Sequence, residues 1–68
     1  MEDKKHNLKE FSNASNGQFV LLDPLSIAII EQESAGLVRI TMKETRDGKN
    51  ISFTANYDLA TIYSIINS

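Results

Sequence analysis

The sequence predicts an α+β fold: a small antiparallel β-meander of four or five strands, open or curled like a barrel, closed by one C-terminal α-helix. Three observations carry this prediction. Val38, Ile40 and Met42 alternate with Arg39, Thr41 and Lys43, and Ile51, Phe53 and Ala55 alternate with Ser52 and Thr54, as one-sided strands do. Asp47-Gly48 lies between the two runs and suits a tight hairpin, since Gly accepts positive φ at little cost. From Tyr57 the apolar spacing turns helical, through Leu59, Ile62, Tyr63 and Ile66.

The elements follow in order. Residues 1–7 are polar and predict a flexible, solvated tail, leaving residues 8–68 as a single domain. Residues 8–15 allow a loose helical turn or a weak edge strand. The Ser and Asn content argues against a helix interior, so the edge strand is preferred. Asn16-Gly17 is itself a hairpin dipeptide. Gln18 to Asp23 is a strand candidate, with Phe19, Val20, Leu21 and Leu22 apolar on both faces, and Asp23-Pro24 ends it because proline lacks an amide donor. Ile27 to Gln32 is a second β-rich run, with Ile27 and Ile29 on one face and Ala28 and Ile30 on the other. Residues 33–36 end in Gly and read as a turn. Asn56 is the expected N-cap, with Asp58 in the first helical turn.

Composition narrows the function. A chain of 68 residues makes one domain at most and buries only about 60% of its unfolded surface, so its stability is marginal without help. With no Cys, neither a disulfide nor a thiolate metal site supplies that help, which leaves association as the common route. The polar start of the chain is unlike a signal peptide, and no apolar run approaches the ~20 residues of a membrane span. A cytoplasmic protein without membrane insertion is expected. Net charge is −2, and the only cationic concentration after Gln18 is Arg39, Lys43, Arg46 and Lys49, against six acids. That is a mildly basic strip, thin for phosphate binding, so nucleic acid is not the expected partner.

Catalytic chemistry is equally thin. His6, the single histidine, sits in the polar tail, with no base or orienting group beside it. Glu31 and Glu33 share one side of a strand and could approach each other, but with no His nearby they read as a solvated strand end. Gly17, Gly36 and Gly48 are isolated turn glycines, and none opens a phosphate loop. The sequons at Asn13 and Asn50 matter only in a secreted eukaryotic protein. No enzyme activity, cofactor or metal is expected.

Residues 16–31 resemble the FlbD/SwrD-type family of small bacterial flagellar proteins. The shared elements are Asn16-Gly17, the strand Phe19 to Leu22, Asp23-Pro24, Ile27, Ile30 and Glu31, followed by strand, Gly turn, strand and helix in the same order. Asp stands where that family has Asn before the proline, and the helix entry at Ala55 to Asp58 is less charged. The resemblance implies a flagellar accessory role. The strand pattern is also similar to the tail of LytTR-type DNA-binding domains, without the basic stretch that follows their last strand.

A small bacterial or phage protein-interaction module is the function expected. Its contact would be a sheet edge or a second apolar sheet face. One helix covers one face, whereas Val20, Leu22, Ala28 and Ile30, or alternately Phe19, Leu21, Ile27 and Ile29, lie on the other. A homodimer or another protein would cover that face, unless the sheet curls enough to bury both sides itself. The alternative is a nucleic-acid-binding hairpin built on Arg39, Lys43, Arg46 and Lys49.

Overall fold

The computed structural model describes residues 8–68, and the tail expected over residues 1–7 lies outside them, as does His6. Its order is β1 (Lys9–Ser12), β2 (Phe19–Leu22), a 3-10 turn at Pro24–Ser26, β3 (Ile27–Ser34), β4 (Leu37–Arg46), β5 (Lys49–Ala55) and α1 (Leu59–Ile66). The chain is therefore α+β, with an edge strand and not a helical turn at its start. The five strands do not form one meander. They divide into an antiparallel pair, β1-β2, and a three-stranded sheet in the order β3-β4-β5, with no closed barrel among the described residues.

Local chemistry sets each connection. The β1–β2 loop uses two Asn side chains as internal acceptors: Asn13 Oδ1 takes the Ser15 N–H and Asn16 Oδ1 the Gln18 N–H, both at 2.9 Å. The β4–β5 turn pairs Arg46 with Lys49 and puts both central residues at positive φ, Asp47 at 55° and Gly48 at 80°. That is the twist a two-residue hairpin requires. Below the turn, β4 runs four residues from Thr41 to Thr45 while β5 runs two from Ser52 to Asn50. The Asn50 amide donates to Met42 O at 2.9 Å, supplying the donor that the interrupted ladder lacks.

A second bulge decides which isoleucines are inside. Ile27 pairs with Met42 and Ile29 with Thr41, so two residues of β3 advance against one of β4. Strict alternation would put Ile27 with Ile29. The bulge instead turns Ile27 and Ile30 to the core and leaves Ala28 and Ile29 exposed.

The core is Phe11, Val38, Ile40, Met42, Ala55 and Ile62, drawn from both sheets and the helix. Val20, Leu22, Ile27, Ile30, Ile51, Phe53, Tyr57, Ile65 and Ile66 pack around it. The β1–β2 hairpin lies over the apolar face of the larger sheet. At one side Asn13 bridges to Ala55 of β5, and at the other β2 leads through Pro24–Ser26 into β3. Phe11 and Tyr57 meet edge to face at 6.4 Å, and the Tyr57 hydroxyl accepts the Ser12 N–H at 2.9 Å. The shortest dimension, 20 Å, is that of two layers.

The helix begins two residues later than the expected Asn56 cap. Tyr57 is held out of it by the hydroxyl contact to Ser12, and Asp58 is the N-cap. The Asp58 carboxylate does not cap the helix. It accepts from Gly36 N–H at 2.7 Å and from the Gln32 amide at 3.3 Å. Gln32 Oε1 accepts the Leu59 N–H at 2.8 Å in its place, so a strand residue satisfies the first turn.

Candidate interaction surface

Alternation along β2 separates an inner from an outer pair. Val20 and Leu22 are half-buried against the core, while Phe19 and Leu21 point away from it, 64% and 65% exposed. Leu25, in the turn that follows, is 74% exposed. Three large apolar side chains thus stand in water within seven residues of a small chain, a feature that marks contact surfaces. Of the two apolar sets in the sequence, Val20, Leu22 and Ile30 lie at the core margin and Ala28 is exposed. Phe19, Leu21 and Ile29 are outward, and Ile27 is turned in by the bulge.

A shallow apolar groove runs between α1 and β3, lined by Ile30, Leu59, Ala60, Ile62, Tyr63 and Ile66. The helical stripe marks this surface only in part, because Ile62 is its sole buried member and Tyr63 stands 72% exposed. The register of α1 against the sheet, which no spacing rule specifies, makes Leu59 and Tyr63 groove walls instead of core.

The cations of the basic strip differ in their surroundings. Arg39 faces outward on β4, where its Nε donates to Glu33 Oε2 at 2.8 Å and Nη1 to Ser52 Oγ at 3.4 Å. Its pKa is raised, first by the hydrogen bond to Glu33 and then by the negative charge of Glu33, against a smaller desolvation effect, with Glu31 adding least. Glu33 is thus committed to Arg39 and does not form a carboxylate pair with Glu31. Lys43, Arg46 and Lys49 are exposed around the hairpin, with Glu44 and Asp47 between them. Arg46 and Lys49 flank a second, more polar depression with Asp47, Asn50, Ile51 and Ser52.

Among the described residues no group of three or more His, Cys, Asp or Glu side chains is placed to hold a metal ion. No helix among them is long and apolar enough to cross a membrane. Comparison of the chain with protein-family models, with curated proteins and with solved structures gives no match.

Proposed function

We propose that this chain is a non-catalytic protein-interaction module that associates with a second copy of itself through the outer side of the β1–β2 hairpin. The observation that supports this is the exposure of Phe19 and Leu21 side by side on a strand whose inner residues already complete the core. A homodimer would set these side chains against those of the second copy and give a 68-residue chain the added stability that mass action supplies. A flagellar accessory role is a setting in which such a module would act.

A second reading, nucleic-acid binding by the β4–β5 hairpin, draws on the exposed cations Lys43, Arg46 and Lys49. The acids among them count against it: Glu33 pairs with Arg39, and Glu44 and Asp47 lie between the other cations, offsetting the positive charge a phosphate would meet.

Sedimentation equilibrium from micromolar to millimolar concentration separates the two. The wild-type mass should rise with concentration, the Phe19→Ser/Leu21→Ser variant should stay monomeric and folded, and Arg46→Glu/Lys49→Glu should associate like wild type. A wild-type monomer throughout would overturn the reading. So would oligonucleotide binding that weakens steeply with salt and disappears in Arg46→Glu/Lys49→Glu.

A further inference from the structure

The strand edges of this chain are not equally protected. β3, one edge of the larger sheet, carries Glu31 and Glu33 and has register shifts near both ends. Charges and bulges of this kind oppose pairing with another strand. β5 is the other edge, and its end is occupied: Asn13 bridges to Ala55, and Ala14 N–H donates to Thr54 O at 2.8 Å. β2 has β1 on one side only. Its residues, Phe-Val-Leu-Leu, include no charge and no proline, and its register with β1 is unbroken.

The ladder fixes which backbone groups face the open side. Asn13 N–H donates to Gln18 O at 2.8 Å, which makes these two a hydrogen-bonded pair. Hydrogen-bonded and non-hydrogen-bonded pairs alternate along antiparallel strands. With Ser12 opposite Phe19, Phe11 opposite Val20, Glu10 opposite Leu21 and Lys9 opposite Leu22, it is Val20 and Leu22 that bond to β1. Phe19 and Leu21 turn their N–H and C=O groups to the open edge. Ser12 agrees with this phase, since its N–H goes to the Tyr57 hydroxyl and not across the ladder.

We propose that β2 pairs antiparallel with β2 of a second copy about a two-fold axis at Val20. This rests on the self-association proposed above and adds its edge and register. Phe19 then stands opposite Leu21 of the partner subunit, and Leu21 opposite the partner's Phe19. Each pair exchanges two hydrogen bonds, which satisfies all the outward backbone groups of β2. The same register sets an aromatic side chain beside an aliphatic one on the outer face, a favourable cross-strand pair, twice by symmetry. Other registers are poorer. Centring the axis on Phe19 recruits Gly17, whose N–H is already bonded to Asn13 O at 2.8 Å. Centring it on Leu21 recruits Asp23, whose C=O already accepts the Ser26 N–H at 2.8 Å in the 3-10 turn. Equivalent self-pairing of β3 would bring the acids Glu31 and Glu33 of the two copies together. A junction of two short strands is smaller than the ~1,600 Å² of a standard interface, so the dimer is a weak one.

Sedimentation equilibrium and amide hydrogen exchange on the full chain, each across a concentration series, test the pairing. The amides of Phe19 and Leu21 should gain protection in step with dimer formation, while those of Val20 and Leu22 change little. Leu21→Lys, at an exposed position, should melt cooperatively and weaken the dimer about tenfold or more. Chemical synthesis with N-methyl-Leu21 removes one outward donor and no intramolecular bond, and should weaken it likewise. A dimer in which the Phe19 and Leu21 amides stay unprotected would overturn the edge pairing and leave association through the hairpin surface standing. A monomer at millimolar concentration would overturn both.

Discussion

At the scale of single residues, the hairpin tip is the most constrained position. Gly48 has φ of 80° and nothing near the place a Cβ would occupy, so a substitution there meets backbone strain and no steric clash. A β-branched residue is the worst occupant of that region. Gly48→Val should cost on the order of 1–3 kcal/mol, lowering the melting temperature by roughly 4–8 °C per kcal/mol for a domain of this size. A calorimetric melt unchanged by the substitution would show that the turn can reorganise.

At the scale of elements, α1 depends on two contacts that differ in kind. Ile62 is its buried anchor. Ile62→Ala should cost about 2–5 kcal/mol, a large share of what a small domain has, and the loss should appear in chemical denaturation as a lower midpoint. Gln32 acts at the helix entrance. Its Oε1 holds the Leu59 N–H while its amide donates to Leu37 O at 3.1 Å and to Asp58. Gln32→Ala should fray the first turn and cost about 0.5–2 kcal/mol, the range of a lost N-cap. Faster amide exchange at Leu59 to Ile62, with β4 amides unaffected, would mark this local effect. Uniform loss of protection would mean that Gln32 supports the whole fold.

At the scale of the molecule, one fully buried side chain anchors the hairpin to the larger sheet. Phe11 is the fully buried residue of the β1–β2 hairpin, and it touches Tyr57 at the start of the last segment. Phe11→Ala should cost about 3–5 kcal/mol and release the hairpin from the larger sheet. Far-UV circular dichroism with near-ultraviolet tyrosine signals would follow it, expecting loss of tyrosine asymmetry before loss of strand signal. Simultaneous loss of both would mean that the three-stranded sheet and helix do not persist without the hairpin.

The order of the elements was legible in the chain alone. Turn chemistry at Asn16-Gly17, Asp23-Pro24, Gly36 and Asp47-Gly48 placed the reversals, and alternation along β4 and β5 named their inward residues, of which Ile51 and Phe53 are only partly buried, because these signals act between neighbours in the chain. Features that depend on distant groups were set by packing. The strands divide into two sheets because β2 pairs with β1 and β3 with β4, with no ladder between β2 and β3, and the hairpin lies over the apolar face instead. The late start of the helix follows from the Tyr57 hydroxyl reaching Ser12, 45 positions away. The inward turn of Ile27 follows from a bulge that appears only when β3 is set against β4. The candidate surface divides the same way. Two-sided apolarity at 19–22 is visible in the residues, but either side could serve as core. The choice of Phe19 and Leu21 as the outer side was made by Phe11 and the larger sheet, which claim Val20 and Leu22 for burial.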